Sequence, residues 1–263
     1  MTLGVDIGGT TINLGLVEGA VVVKKVQVPS FAPGAALEET LDYLGDRIAD
    51  VITPPVKKIG IGVPSVTDPV RGIVYDAVNI PSWKEVHLKE TLEKRFGIPV
   101  NVNNDANCYA LGAAASLGET LPAVVAVTLG TGTGAGIVID GKIFNGTHCG
   151  AGELASVPYE SLDYESFCSK KFFTANGVEP KEASQELMDV FGFHLGRFLS
   201  VILYAYDADC IILGGGIAHA FDRFRDALWK SLRESFLYSK TLDDLRIVAM
   251  PDEDVPLVGA ASL

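Results

Sequence analysis

Apolar and polar positions fall into blocks whose period changes along the chain. Leu3–Asp6 reads as a short strand, Gly8-Gly9 as a turn, and Thr11–Val17 and Ala20–Val28 as further strands joined at Glu18-Gly19. Together they predict a three-stranded antiparallel meander. From Pro33 to about Ile52 the period becomes helical, with Leu37, Leu41, Leu44 and Ile48 on one face and Pro54-Pro55 as the stop. Lys58–Val63 is an apolar strand, and Val86–Phe96 is a helix that ends at Gly97. Pro99–Asn103 is a strand, and Ala106–Ser116 an alanine-rich helix.

The pattern then restarts. Ala123–Leu129 and Ala135–Ile139 are strands around a glycine-rich turn at 130–134, and Asp140-Gly141 turns the chain into Lys142-Ile143-Phe144. Lys181–Tyr206 predicts a long helix, Asp209–Leu213 a strand, Ile217–Phe236 a helix and Leu245–Ala249 a strand. A β-β-β-α-β-α-β order thus occurs twice. It predicts an α/β fold of two lobes, 1–117 and 118–263, with a cleft between them.

Composition narrows the function classes. At 263 residues and 48% hydrophobic the chain can bury a sizeable core, and disorder is not expected. A formal net charge of −12 repels phosphate backbones, so no nucleic-acid partner is expected. An anionic substrate then needs a local site built from backbone amides or a metal ion. No apolar run approaches the ~20 residues that span a bilayer, and Met1-Thr2-Leu3-Gly4 carries no basic leader. Cys108, Cys149, Cys168 and Cys210 form no C-x-x-C pair, and their scatter suits a reduced cytosol. The expectation is a cytoplasmic protein with no membrane partner. Cys108 and Cys210 read as buried small hydrophobes, and only His148-Cys149 comes near a metal-ligating pair.

Four segments carry candidate chemistry. In Asp6-Ile7-Gly8-Gly9-Thr10-Thr11, glycines let backbone N–H groups approach an anion, threonines add hydroxyls, and Asp6 is placed to orient Mg²⁺ through water. An ordinary hairpin turn uses Gly-Gly equally well. Thr128–Gly136 alternates four glycines (130, 132, 134 and 136) with Thr131 and Thr133, more glycine than a hairpin needs, and each weakens a strand. It is neither a Walker A loop, for no G-K-[ST] follows, nor a dinucleotide fingerprint, for a strand follows instead of a helix. In Asn103-Asn104-Asp105-Ala106-Asn107 a strand gives way to a helix, so Asp105 is either a helix cap or a general base, and Asn104 is able to hold a substrate hydroxyl. Gly214-Gly215-Gly216 after Ile211–Leu213 accommodates either a flat ligand or a tight turn.

The order of these segments resembles the ROK family of bacterial sugar kinases and sugar-responsive repressors, within the actin–hexokinase–Hsp70 superfamily. Asp6–Thr10 resembles its first phosphate motif, Asn104–Asn107 its catalytic motif, Thr128–Gly136 its second phosphate motif and Leu213–Ile217 its adenosine motif. Asn79-Ile80-Pro81-Ser82-Trp83 and Gly150–Leu154 resemble its sugar-binding segments, with Asn79 and Glu153 on sugar hydroxyls. The resemblance implies two ribonuclease-H-like (actin-like ATPase) lobes and ATP-dependent phosphorylation of a hexose. Asp105 is then the base, Mg²⁺ arrives with ATP near Asp6, and the assembly is a homodimer. Gly8, Gly9, Thr10, Thr11, Gly130, Thr131, Gly132, Thr133, Gly134, Gly214, Gly215 and Gly216 are the implied nucleotide contacts, and Asn79, Asn104, Asp105 and Glu153 the sugar contacts. An N-acetylhexosamine kinase, a polyphosphate-using glucokinase and a non-catalytic sugar-sensing regulator remain alternatives. A DNA-binding repressor is not expected, because the first motif begins at Asp6 and leaves no room for a helix-turn-helix.

Three departures stand out. Thr11 replaces a frequent lysine. Ser156 replaces the histidine that contacts zinc and sugar in the resemblance. The zinc loop is reduced to Tyr164–Phe173, with Cys168 its single thiol, so a tetrahedral zinc site is not expected. Tyr159, Tyr164, Phe167, Phe172 and Phe173 predict an aromatic cluster in its place.

Overall fold

The computed structural model describes residues 1–52, 55–77 and 79–263. In chain order its elements are β1 (Thr2–Ile7), β2 (Thr11–Glu18), β3 (Val21–Pro29), α1 (Leu37–Val51), β4 (Ile59–Val63), β5 (Val66–Asp68), β6 (Ile73–Tyr75), β7 (Glu85–His87), α2 (Leu88–Phe96), β8 (Val100–Asn104) and α3 (Asp105–Ser116). There follow β9 (Ala123–Leu129), β10 (Thr133–Ile139), β11 (Lys142–Ile143), β12 (Pro158–Tyr159), β13 (Leu162–Asp163), α4 (Tyr164–Cys168), α5 (Lys170–Ala175) and α6 (Gln185–Tyr206). The last are β14 (Cys210–Gly214), α7 (Phe221–Ser235), α8 (Ser239–Asp244), β15 (Arg246–Ala249) and α9 (Val255–Ser262).

The expected repeat is present in the sheets. One runs β3-β2-β1-β4-β8 and the other β11-β10-β9-β14-β15. In each, three antiparallel strands are followed by two parallel ones. The first unit runs to Gly118, beside the boundary expected at residue 117, and takes in two later segments. One unit comprises Met1–Gly118, Asn145–Gly150 and Glu253–Leu263; the other comprises Glu119–Phe144 and Ala151–Asp252.

The returning segment that matters in the first unit is α9, which sequence periodicity missed. Val258, Gly259, Ala260 and Ala261 are all buried, so the helix has no polar face to give it a period. It packs backbone to backbone: a Cβ on Gly60 of β4 would lie 1.7 Å from Ala260 O, and one on Gly259 would lie 1.7 Å from Cys108 O. This contact accounts for the alanine-rich sequence of α3. The other buried side of the sheet packs Leu44 and Ile48 of α1 and Leu88 and Leu92 of α2 with strand side chains such as Leu3, Val5 and Ile61.

Several element boundaries move for local reasons. Val86 belongs to β7, where it pairs with Val74 in a three-stranded sheet, and α2 starts only at Leu88. Gly97, at φ 69°, then ends α2 as expected. Pro54 of the expected α1 stop lies outside the described residues. The long helix begins at Gln185 rather than Lys181, because Pro180–Glu182 forms a 3₁₀ turn and Ser184 caps the helix by accepting the Leu187 N–H at 3.2 Å. Likewise Gly216–Ala220 is a 3₁₀ turn ahead of α7. Helix α6 is long and apolar enough on average to cross a membrane, although Glu186, Asp189 and Arg197 leave it without an unbroken apolar run of ~20 residues. Its Phe191, Leu195, Phe198 and Leu199 are buried in the second unit's core with Phe224 and Leu228 of α7, so it reads as a core helix.

Candidate active site

In the first unit the candidate residues gather where the parallel strands end. Asp6 of β1 pairs with Gly62 of β4, and Gly62 pairs with Asn103 of β8. Two strand spacings, ~10 Å, therefore separate the Asp6 and Asn103 backbones. Asp105 comes two residues later at the start of α3, and a Cβ on Gly62 would lie 3.5 Å from its Cα. Buried Cys108 lies near both carboxylates: burial first, then Asp105 and Asp6, push its thiol well up. The carboxyl ends of parallel strands are where open α/β sheets place their ligands.

The Asn103–Asn107 segment is braced from within. Asn104, not Asp105, caps α3: its Oδ1 accepts the N–H groups of Ala106 at 2.9 Å and Asn107 at 3.2 Å. Its Nδ2 donates to Ser65 O at 3.3 Å, so one amide hydrogen remains for a substrate contact. The reading of Asp105 as merely the cap therefore does not hold. Asp105 is half-buried, and its Oδ1 accepts the Ala106 N–H at 2.8 Å, which orients the carboxylate. Buried Asn103 accepts from Asn104 N at 2.8 Å and Asn107 Nδ2 at 3.0 Å.

The first turn is narrow. Gly8 N–H donates to Thr11 O at 2.8 Å, and Ser30 donates from its N–H to Thr10 O at 2.9 Å and from its hydroxyl to Gly8 O at 2.8 Å. Exposed Asn79 stands beside it, its Nδ2 3.6 Å from where a Gly9 Cβ would lie. Burial raises the Asp6 carboxyl above the usual carboxylate range, opposed by the Asn13 amide at 3.3 Å and by Lys25. Gln27 in turn donates to Asn13 Oδ1 at 2.9 Å. A half-buried carboxylate with so little cationic support fits a Mg²⁺–phosphate ligand, for Mg²⁺ takes one or two carboxylates plus substrate phosphates. Among the described residues no group of three His, Cys, Asp or Glu gathers as a metal site.

The second unit assembles the remaining candidates. Gly130 N–H donates to Gly132 O at 3.0 Å, closing the turn between β9 and β10. Gly214 pairs with Thr128, and Gly215, at φ 78°, places its missing Cβ 2.5 Å from Leu129 O. A side chain at Gly215 is excluded by both conformation and space, and Gly214 and Gly215 run alongside Thr128 and Leu129. Gly152, at φ 100°, lies against Ala135 O of β10, where its Cβ would be 2.0 Å away, and so sets the exposed Glu153 beside that strand.

The loop after Glu153 is held by rings. Tyr159 stacks on Tyr164 at 4.2 Å, Phe172 meets Phe173 at 5.2 Å and Phe191 at 5.8 Å, and Phe167 lies 5.4 Å from Tyr159. His194, absent from the sequence reading, sits among them with its Nδ1 3.0 Å from Tyr159 Oη. Buried Cys168 has its thiol pushed far up by burial, the opposite of a metal-ready thiolate. Glu165, likewise unread from sequence, reaches the turn between β9 and β10 at Thr133, and Lys171 pairs with its carboxylate. Asn13 had a legible signal, since it stands across from Asp6 on the adjacent strand.

The sequence model of the ROK family matches residues 2–172 and 164–263. A glucokinase of Thermotoga maritima is 28% identical over 309 aligned positions, covering 99% of this chain and 96% of that protein. An N-acetyl-D-glucosamine kinase of Pectobacterium carotovorum is 28% identical, covering 87% of each. The crystal structure of a ROK family glucokinase from Streptomyces griseus, in complex with glucose and AMPPNP, superposes with a TM-score of 0.83 at 25% identity, covering 99% of this chain and 98% of that one.

Proposed function

The chain belongs to the ROK family, and on that premise we propose that it is a sugar kinase moving the γ-phosphoryl group of ATP to a hexose hydroxyl. The observation that carries the assignment of residues is the placement of Asp6 and Asp105 at the same strand ends, with Asn79 beside the first turn and Asn104 capping α3. Asp105 accepts the hydroxyl proton, the hydroxyl oxygen bonds to the γ-phosphorus, and the bond to the ADP oxygen breaks. Phosphoryl transfer asks for positioning and charge stabilisation more than for covalent help, and this set of residues fits that demand.

Asp6 would hold the Mg²⁺ that accompanies ATP, and that ion supplies charge neutralisation at the phosphates. The amides and hydroxyls of Gly8–Thr11 and Gly130–Gly134 bind phosphate oxygens, and Gly214–Gly216 leave room for adenosine. Asn79, Asn104 and Glu153 take the sugar hydroxyls. A wrong hydroxyl pattern leaves such polar groups unpaired, which is where discrimination arises. Glucose is the substrate this reading favours, and a homodimer formed through the second unit belongs to it. A coupled assay of ADP release, run over hexoses and N-acetylhexosamines with Mg²⁺–ATP, tests it. Turnover is expected with glucose; turnover confined to N-acetylhexosamines would move the substrate, and none with any sugar would refute the proposal. Light scattering that finds only a 27.9 kDa species would refute the dimer.

A further inference from the structure

The second phosphate turn already has a carboxylate against it. Glu165 of α4 points at Gly132 and Thr133: its Oε2 lies 3.4 Å from the Thr133 nitrogen and 2.6 Å from where a Gly132 Cβ would stand. Its Oε1 is paired with Lys171 Nζ of α5. Two backbone-anchored bonds hold the same segment to the same turn. Lys170 N–H donates to Gly130 O at 2.8 Å, and the buried Thr133 hydroxyl donates to Cys168 O at 2.9 Å. Glu165, Cys168 and Lys170 therefore meet the turn at Gly130, Gly132 and Thr133, and Lys171 joins them through Glu165.

A carboxylate packed on a turn of glycines and threonines makes there the kind of contact a phosphate oxygen would make. Both are anionic acceptors that seek backbone N–H groups, and glycine lets both come close. They cannot share the place, because like charges at hydrogen-bond range repel strongly where water is partly excluded. Neither side chain is locked in a core: Glu165 is 31% exposed and Lys171 55%. The carboxylate is thus able to swing out while Lys171, next in the chain to the anchored Lys170, remains on the segment fastened to the turn.

We propose that Glu165 is an internal stand-in for phosphate at this turn and that Lys171 is a ligand of the nucleotide's phosphates, the incoming phosphate displacing the carboxylate and taking over the lysine. The proposal rests on the reading of the turn as a nucleotide phosphate site. It gives an acidic chain a cation where its substrate needs one, and it keeps that cation paired when no nucleotide is bound. A charge-assisted hydrogen bond to phosphate contributes about tenfold or more to affinity.

The two residues should therefore act in opposite directions. Calorimetric titration of the whole chain with AMPPNP and Mg²⁺ is expected to show Glu165→Gln binding about fivefold to tenfold tighter than wild type, and Lys171→Met about tenfold weaker. Lys171→Arg keeps the charge and should stay within about threefold of wild type. Affinities of Glu165→Gln and Lys171→Met both within twofold of wild type would overturn the clasp and leave the turn's role standing. Weaker binding in both, as from a merely loosened loop, would overturn it as well, as would an arginine variant no better than the methionine one. A wild-type chain that takes up no AMPPNP would overturn the clasp together with the nucleotide reading.

Discussion

Replacing Phe172 by alanine tests whether packed rings hold the loop behind Glu153, the glutamate proposed to take sugar hydroxyls. Phe172 is 6% exposed and touches Phe173, Phe191 and His194 at centroid distances of 5.2, 5.8 and 5.8 Å. Removing a buried phenylalanine ring costs ~3–5 kcal/mol, and the incomplete burial here places the cost near ~3 kcal/mol. Unfolding entropy of ~2.1 cal/mol/K per residue makes that a fall in Tm of about 5 °C if the whole chain melts together. A second unit that melts by itself would show about twice that. Leu154 and Ala155, which follow Glu153, pack on the same core, so glucose affinity should fall by a few-fold too. The assays are thermal melting with and without EDTA, and calorimetry with glucose. EDTA should leave the wild-type Tm unchanged. An unchanged Tm in the variant, an unchanged glucose affinity, or stoichiometric zinc in untagged protein would each refute part of the argument.

Three further outcomes follow from other contacts. Gly132→Val should leave the fold intact, because the nearest atom to the new Cβ is the movable end of Glu165, yet weaken AMPPNP binding by about tenfold or more; calorimetry with AMPPNP and glucose separates the two effects. Gly259→Ala should destabilise by ~1–3 kcal/mol, since its Cβ would stand 1.7 Å from Cys108 O and α9 would have to shift; denaturant unfolding measures it. Burial lowers the pKa of His194, opposed in part by Glu160, so the folded chain prefers the neutral ring. Stability should then fall as pH drops below the ordinary histidine value of ~6.5, and Tm in His194→Gln should depend less on pH over that range.

The glycine–threonine run at Thr128–Gly136 was legible because glycine is costly in a strand and such density requires a reason. The two sheets were legible as a repeated order of elements, for strand and helix periods differ plainly. What stayed hidden was mostly long-range. Helix α9 has no amphipathic face, because glycines on β1, β4 and α3 let it approach on its small residues. The strands β5, β6 and β7 are three residues each, too short for alternation to register. The identity of the cap at α3 could not be separated from its neighbour when Asn104 and Asp105 are both good caps. Glu165 meets the turn across more than thirty residues, as its separation of 32 from Thr133 shows, and no spacing rule covers that distance. The return of α9 to the first unit was unreadable for the same reason.

The central claim is that Asp105 takes the proton from the attacking hydroxyl, and Asp105→Asn tests it most directly. Asparagine has the same shape and its carbonyl oxygen can still accept the Ala106 N–H, which Asp105 accepts at 2.8 Å, so fold and glucose binding should persist. What it lacks is a carboxylate to receive a proton. The measurement is kcat for phosphoryl transfer from Mg²⁺–ATP, beside circular dichroism and calorimetric glucose affinity on the same preparation. The account predicts a fall in kcat of about a hundredfold or more with glucose affinity nearly unchanged. Near-normal turnover in a folded, sugar-binding Asp105→Asn chain would contradict it.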